Sequence, residues 1–420
     1  MHRYLIYVVS FAAFVCGCST LDEAVSTVDE KNASAIATFH DFHWEGVVET
    51  DSCYQIEKAI DQQLLYTVGQ LNGDKSVGRL DQVEVVASEW EQTNAGCRIN
   101  YRARMPVAWG KPGTVPETYT LTLPRNVGWD AQEAFAEKYR RGCVSWGGED
   151  ADANVFWYYF RPARSRCLIE ETDVFRFTAD LKPNAEATEG MYPEYHKVWE
   201  DNTLNVVAIF GKVREESDGD DDGIEAFMEF LESAEQELGA SVTSVDSTGE
   251  GENSTTVIKA TLPDGRQVNV HGFMIRSVSA ADNTFWSQYE ALTPTADYIV
   301  YNGHSGLGSN IRTLARRGAW ATGQYVIVFM NGCDTYAYID SALADAHSDV
   351  NPDDPEGTRY LDVVANAMPS YPSSTAEATM AIMRGLLSYD EPMTYEEILK
   401  GIDPREVVLV TGEHDNTYRP

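Results

Sequence analysis

Two stretches, Tyr298-Ile-Val-Tyr-Asn-Gly-His304 and Tyr325-Val-Ile-Val-Phe-Met-Asn-Gly-Cys333, each end a hydrophobic run in Asn-Gly and a reactive side chain. One predicted helix, residues 310–317, separates them, so together they indicate a β-α-β unit. Such crossovers are right-handed and leave their two strands parallel. Both carboxyl ends therefore lie at one edge of the sheet, where open α/β sheets place their sites. Because neighbouring strands lie about 4.8 Å apart, we expect His304 and Cys333 to lie side by side.

The chemistry of this pair is that of a cysteine nucleophile with its base. A thiolate attacks a carbonyl carbon, and an imidazole close to the sulfur withdraws and returns the proton. Glycines beside the pair, Gly306 and Gly332, allow backbone amides to approach a developing oxyanion. The backbone amide of Ser305 is a further candidate donor for that oxyanion.

A strand ending in His, a helix, and a strand ending in Cys resemble the caspase–gingipain–CHAT group of cysteine peptidases. The resemblance covers about residues 204–415 in element order. It implies an α/β domain with a mostly parallel sheet flanked by helices, and a peptide or protein substrate. Cys333 is then the nucleophile and His304 the base. The group has Gly after the His and takes an oxyanion amide from it, whereas this chain has Ser305.

Two alternatives remain open beside an endopeptidase. In the first, the same fold serves a non-catalytic envelope lipoprotein as a binding module. In the second, Ser305 within Gly303-His-Ser-Gly-Leu-Gly308 is the nucleophile of an α/β-hydrolase-like esterase, although the Gly-x-Ser-x-Gly pattern has one residue too many. The strand before Asp415 resembles the acid-bearing strand of those enzymes, but His414 precedes the acid instead of following it.

The first residues resemble a bacterial lipoprotein signal. Arg3 is followed by the apolar run 4–15, which is too short to span a bilayer. The run leads into Gly17-Cys18, which is similar to a lipobox with Cys18 as the lipid-bearing residue. We therefore expect a signal peptide at 1–17 and a flexible tether at 18–38. This implies a bacterial cell-envelope protein anchored by lipid, periplasmic or surface-facing, at the outer membrane.

The chain is strongly acidic, with 66 Asp and Glu residues against 32 Lys and Arg and a net charge of −34. This charge excludes nucleic acid as a partner and opposes electrostatic adhesion to anionic lipid. We therefore expect contact with a lipid bilayer through the N-terminal anchor alone.

Cysteine counting separates one thiol from the others. With Cys16 removed with the signal peptide and Cys18 acylated, four of the remaining cysteines fall in one region and are expected to form two disulfides. Three pairings are possible, and we expect the sequential one. Cys333 is left over and predicted to carry a free thiol. The four disulfide candidates are Cys53, Cys97, Cys143 and Cys167.

The pattern of strands and helices predicts two domains. Residues 39–181 mix helical and strand patterns, including a predicted strand at 156–160, and indicate an α+β domain stapled by disulfides. Residues 182–203 are predicted to be a linker. Residues 204–420 alternate strand and helix and form the predicted α/β, caspase-like domain. Two capping boxes, Ser374 with Glu377 and Thr394 with Glu397, predict helix starts.

An acidic stretch before one helix matches a Ca²⁺-loop expression by letter. No helix precedes it, and Ile224 falls one position early for the usual apolar site. The stretch is therefore predicted to favour the N-terminus of the following helix by its charge, and no cofactor or metal is expected beyond this weak Ca²⁺ candidate. The four matching residues are Asp218, Asp220, Asp222 and Glu229.

Overall fold

The structure, a computed structural model, describes residues 36–111, 113–214, 221–412, 416 and 418–420. The protein is mixed α/β, with about a third of its residues in helices and about a third in strands. None of the described helices is long and apolar enough to cross a membrane. The predicted signal peptide, Cys18 and the tether as far as residue 35 lie outside the described residues.

The amino-terminal part of the described chain forms a six-stranded sheet whose strand pairs are all antiparallel. Its strands are β1 (Thr38–Thr50), β2 (Ser76–Gly78), β3 (Glu84–Thr93), β4 (Gly96–Trp109), β5 (Thr118–Pro124) and β6 (Val174–Pro183). The helices of this half are α1 (Ile56–Asn72), α2 (Trp129–Tyr139) and α3 (Phe156–Tyr159), and a short helix α4 (Tyr195–Val198) packs in the core of the carboxyl-terminal part. The sheet order is β2-β4-β1-β6-β5, with β3 also paired to β4.

The predicted strand at 156–160 is wrong, because this segment is the helical turn α3. Consecutive aromatic residues carry no period that separates a strand from a helix. Tertiary packing decides instead: Phe156 and Phe160, four residues apart, both pack on Tyr66, with ring centroids 6.4 and 5.5 Å away. A Cβ at Gly69 of α1 would lie 2.2 Å from the Trp157 carbonyl oxygen, so α1 and this turn need glycine to approach so closely.

The carboxyl-terminal part forms an eight-stranded sheet in the order β14-β13-β12-β11-β7-β10-β9-β8. Its strands are β7 (Thr203–Gly211), β8 (Val242–Thr248), β9 (Asn253–Thr261), β10 (Gln267–Ile275), β11 (Tyr298–Asn302), β12 (Val326–Asn331), β13 (Leu361–Asn366) and β14 (Val408–Gly412). The helices are α5 (Asp222–Leu238), α6 (Asn283–Leu292), α7 (Ser309–Arg317), α8 (Ala342–Val350), α9 (Thr375–Leu387) and α10 (Tyr395–Leu399). The five central strands, β13-β12-β11-β7-β10, are parallel, as predicted, and the outer ones antiparallel.

The parallel strands are buried on both faces, which explains their continuous apolar sequences. Along β7, Val206 and Ala208 belong to one hydrophobic core, and Val207 and Ile209 belong to the other. The first core contains the buried residues of α5, α9 and α10, and the second contains those of α6, α7 and α8. The eight-stranded sheet is therefore the middle of three layers.

The two sheets share the second of these cores. The Phe39 ring of β1 lies edge-on to Tyr336, with ring centroids 6.0 Å apart. The Arg79 guanidinium donates from Nε to the Ile339 carbonyl oxygen at 2.7 Å. Both contacts fall on or beside the 3₁₀ turn Thr335–Tyr338, which begins two residues after Cys333. The amino-terminal sheet thus packs against the segment that carries the candidate nucleophile.

The sequential disulfide prediction is confirmed, since Cys53 bonds Cys97 and Cys143 bonds Cys167. The segments predicted to be a tether and a linker both contribute buried residues. Ile36 and Ala37, assigned to the tether, are buried, and Ile36 bridges Val408. In the predicted linker, three residues are buried in the core beside α5: Tyr195, Val198 and Trp199. These segments are mostly polar in composition, but their apolar side chains are buried and hold the backbone in place.

A buried carboxyl lies just before β11, at the end of the sheet away from His304. Asp297 is 4 % exposed and accepts a hydrogen bond from the Asn205 backbone N–H at 2.7 Å. Burial raises its pKa to about 8. The folded state therefore keeps a proton that the unfolded chain releases at about pH 4. Stability that this proton supplies is present at low pH and is lost as the pH rises toward about 8.

We expect the free energy of unfolding to fall as the pH rises from about 5 to about 7.5, with Asp297 contributing up to about 1.4 kcal/mol per pH unit. Asp297→Asn keeps an acceptor for the Asn205 N–H and removes the titration. Urea unfolding at both pH values should give a shallower pH dependence for this variant than for wild type. The exposed Asp130→Asn is the matched control. An Asp297→Asn profile that parallels wild type would contradict the assignment.

Candidate active site

The two Asn-Gly pairs lie in register at the ends of adjacent parallel strands. Asn302 of β11 is the partner of Asn331 of β12, and the Gly303 N–H donates to the Asn331 carbonyl oxygen at 3.1 Å. The side chains also bond, Asn331 Nδ2 to Asn302 Oδ1 at 2.7 Å. His304 and Cys333 each follow a paired asparagine by two residues. The repeated motif therefore brings them to equivalent positions on one edge.

Glycine is required where these two turns meet. A Cβ at Gly332 would lie 2.5 Å from the Gly303 carbonyl oxygen and 3.4 Å from the Ser305 backbone nitrogen. Any other residue at this position would push the two turns apart. The same proximity brings the Ser305 backbone nitrogen close to the backbone just before Cys333.

His304 and Cys333 line the same small pocket, of about 30 Å³. This volume holds about one water molecule. Only a small group of a ligand fits inside it. The other lining residues come from the ends of β7 and β11, the start of α5 and the loop before α9: Phe210, Gly211, Val213, Gly223, Asn302, Gly303, Ser370, Pro372 and Thr375.

The histidine ring is held in one tautomer. His304 Nε2 lies 3.1 Å from the Val213 carbonyl oxygen. Because a carbonyl oxygen only accepts, Nε2 must carry the proton, and in the neutral ring Nδ1 is then the basic nitrogen. The His304 backbone is fixed as well, since its carbonyl oxygen accepts from Asn310 Nδ2 at 2.6 Å and from the Tyr301 hydroxyl at 3.2 Å.

Asp221 fixes the carbonyl that holds the histidine. Its buried carboxylate accepts from the backbone N–H groups of Val213 at 3.0 Å and Arg214 at 2.7 Å. It also caps α5 by accepting from the Gly223 N–H at 2.9 Å. One carboxylate thus joins the start of a helix to the turn that positions His304. The sequence offered no signal for this, because the contact on the ring is a backbone oxygen.

Cys333 is 8 % exposed and is disulfide-bonded in the structure. The other described cysteines pair with one another. The prediction of a free thiol therefore differs from the structure. The prediction rested on Cys16 leaving with the signal peptide and on Cys18 being acylated, and both residues lie outside the described part.

The glycine-rich turn after His304 departs from ordinary backbone geometry. Gly306 and Gly308 adopt positive φ, at 57° and 84°, and so does Leu307 at 50°. Leu307 is an exposed residue with no glycine-like freedom, so this turn stores some strain. Ser305 itself is 7 % exposed. Its exposure is thus close to the 8 % of Cys333 and does not separate the two as nucleophiles. His414 and Asp415, on which the esterase alternative also depends, lie outside the described part.

A second buried carboxyl supports the loop before α9, which lines the pocket. Glu406 accepts hydrogen bonds from the Tyr371 backbone N–H at 2.8 Å and from the Ser374 hydroxyl. Burial raises its pKa to about 7. These bonds hold the loop that contributes Ser370 and Pro372 to the pocket.

The Ca²⁺ candidate is not assembled by the described residues. Asp218 and Asp220 lie outside the described part, and Asp222 is the first residue of α5. Glu229 lies seven residues further along the same helix, about 10 Å away at 1.5 Å per residue. Asp222 faces Arg214 at 3.5 Å instead. No group of three metal-ligating side chains occurs among the described residues.

Comparison with known proteins does not assign the chain to a family. No protein-family model matches the chain, and no curated protein matches its sequence.

Proposed function

We propose that the chain is a lipid-anchored cysteine endopeptidase of the bacterial cell envelope, with Cys333 as nucleophile and His304 as base. The observation that carries this proposal is the register-matched pair of strand ends, which brings both residues into one pocket. The fixed tautomer of His304 supports it. Nε2 bonds the Val213 carbonyl oxygen, so Nδ1 is left as the basic nitrogen. The caspase-like interpretation of the sheet agrees with five parallel central strands and one helix between β11 and β12.

The reaction is an acyl transfer in two steps. The Cys333 thiolate adds to the scissile carbonyl carbon, a C–S bond forms, and the Ser305 amide stabilises the oxyanion. The C–N bond then breaks as the His304 imidazolium gives its proton to the leaving amine. Water, deprotonated by His304, attacks the thioester, and the carboxylic product leaves with release of the thiolate. The cycle needs Cys333 as a thiol, so the proposal concerns the reduced form of this residue.

The pH dependence of alkylation tests this proposal without knowledge of the substrate. After reduction, iodoacetamide should modify native Cys333 at about pH 6, where an ordinary thiol of pKa about 8.5 is largely inert. Peptide mass spectrometry reports the rate at Cys333, and intact mass confirms that the other two disulfides survive. Modification of Cys333 only after denaturation would overturn the proposal.

The competing function is a binding module without turnover. Two observations favour it: the pocket is small, and Cys333 is disulfide-bonded. A peptide library incubated with reduced protein separates the two. New termini that appear with wild type identify an endopeptidase, and an unchanged library with a captured partner identifies a binding module.

A further inference from the structure

The residue after the candidate nucleophile is a buried aspartate in a strained conformation. Asp334 is fully buried and adopts the left-handed region, with φ 51° and ψ 35°. Residues other than glycine, asparagine and aspartate rarely adopt this region. Consecutive Cα atoms lie about 3.8 Å apart, so any shift of the Asp334 backbone moves Cys333 with it.

The amino-terminal helix α1 reaches across to this aspartate. Asn72, the last residue of α1, donates from Nδ2 to Asp334 Oδ1 at 2.8 Å. It is itself 4 % exposed and also donates to the Ser76 carbonyl oxygen at 3.3 Å. Such a bond between residues 262 apart in sequence links the two sheets.

A guanidinium completes the contact from the amino-terminal side. Arg161 Nη2 donates to Asn72 Oδ1 at 3.4 Å, and Nη1 donates to the Gly69 and Tyr158 carbonyl oxygens at 2.5 and 2.9 Å. The cation therefore lies at the carboxyl end of α1, where the helix dipole favours it. One amide thus connects a cation to a buried carboxylate; we call Arg161, Asn72 and Asp334 the Asn72 bridge.

The electrostatics agree with this connection. Burial raises the pKa of Asp334 to about 6, while hydrogen bonds from Tyr158 and Asn72 and the charge of Arg161 act in the opposite direction. The carboxylate is thus kept ionised near neutral pH by groups of the amino-terminal region. The turn that follows Cys333 therefore depends on a distant part of the chain to keep the Asp334 carboxylate charged.

We propose that the Asn72 bridge sets the Cys333–Asp334 turn, with Asp334 as a positioning residue, so that the amino-terminal region is a working part of the catalytic unit. This rests on the proposed role of Cys333 as nucleophile. The bridge acts through backbone geometry and touches neither substrate nor the reacting atoms. It explains why a disulfide-stapled sheet is packed on the turn that follows the nucleophile.

An exchange of the two side chains tests the bridge. Asn72→Asp alone brings two carboxylates together and should slow alkylation of reduced Cys333, and kcat, by more than about tenfold. Asp334→Asn alone tolerates the left-handed backbone and keeps an acceptor, so a loss of less than about threefold is expected. The double variant restores a hydrogen bond with its polarity exchanged and places the carboxylate beside Arg161. It should recover to within about threefold of wild type.

Gln70→Ala is the matched control. Gln70 lies on the same helix and is buried, but it bonds the Thr120 carbonyl oxygen and the Thr122 N–H of β5. The Gln70→Ala variant should have a lower melting temperature but an unchanged rate of alkylation at Cys333. If Asn72→Asp does not fold, Asn72→Ala replaces it. This variant should slow the alkylation of Cys333 although its melting temperature is similar to that of Gln70→Ala.

The outcomes separate the bridge from the proposed function. A double variant no faster than Asn72→Asp, or a Gln70→Ala variant that slows Cys333 equally, overturns the bridge. If no variant cleaves peptide but alkylation follows the expected order, the bridge stands and the peptidase proposal fails. Peptide cleavage that is indifferent to all these changes leaves the peptidase and removes the bridge.

Discussion

Replacement of Cys333 with alanine is expected to lower kcat/KM for peptide hydrolysis by at least about 10⁴-fold. The thiolate forms the covalent bond to the substrate, and none of the other described pocket residues replaces it. Cys333 is buried but small, so relative to reduced wild type the loss of one sulfur atom should cost the fold little. The assay compares reduced wild type with the variant on any peptide that wild type cleaves, together with their melting temperatures.

Ser305→Ala is the companion to this variant. In the cysteine mechanism Ser305 contributes its backbone amide, which alanine retains, so activity should stay within about threefold. In the esterase alternative the same change removes the nucleophile. An active Cys333→Ala protein with an inactive Ser305→Ala protein would therefore reverse the assignment of the nucleophile.

The site was predictable from sequence where it depends on strand register. The repeated Asn-Gly pairs specify equal offsets from two strand ends, and the crossover rule makes those strands parallel and adjacent. Asn302 and Asn331 then bond each other, a contact that follows from the repeat itself. Strand spacing and crossover handedness are general properties of parallel sheets, so this part of the site could be predicted without knowledge of the other tertiary contacts.

Sequence patterns predicted hydrogen bonds less reliably where a side chain from elsewhere in the chain also contacts the same residue. The Thr394 capping box forms both of its expected bonds. Ser374 begins α9 but makes no capping bond: its backbone, at φ −117° and ψ −4°, is not in the extended conformation of an N-cap, and its hydroxyl donates to the buried Glu406. Helix starts were thus predicted correctly in both places, while the hydrogen bonds were predicted in only one.

The supporting parts of the site had no sequence signal. The groups around His304 and Cys333 include the backbone oxygen of Val213, the turn-fixing carboxylate of Asp221 and the amide of Asn72. Each depends on residues brought together from distant parts of the chain, and a backbone oxygen carries no residue type to recognise. Only the packing of the amino-terminal sheet on the turn after Cys333 brings Asn72 into this set.

Replacement of His304 with glutamine is expected to lower kcat/KM by about 10²- to 10⁴-fold. Glutamine keeps an N–H for the Val213 carbonyl oxygen, which His304 Nε2 contacts at 3.1 Å, but it has no basic nitrogen. The change therefore removes proton transfer while it retains the bond that positions the side chain. Alkylation of reduced Cys333 should move to the pH range of an ordinary thiol, near about 8.5.

His271→Gln is the matched control for this change. His271 lies on β10 of the same sheet, is half-buried and lines no part of the pocket. It should leave both kcat/KM and the alkylation profile unchanged. If His304→Gln lowers activity yet leaves the pH profile of Cys333 as in wild type, the imidazole does not share a proton with the thiol. His304 would then act on the leaving group alone, and the thiolate would need another source of stabilisation.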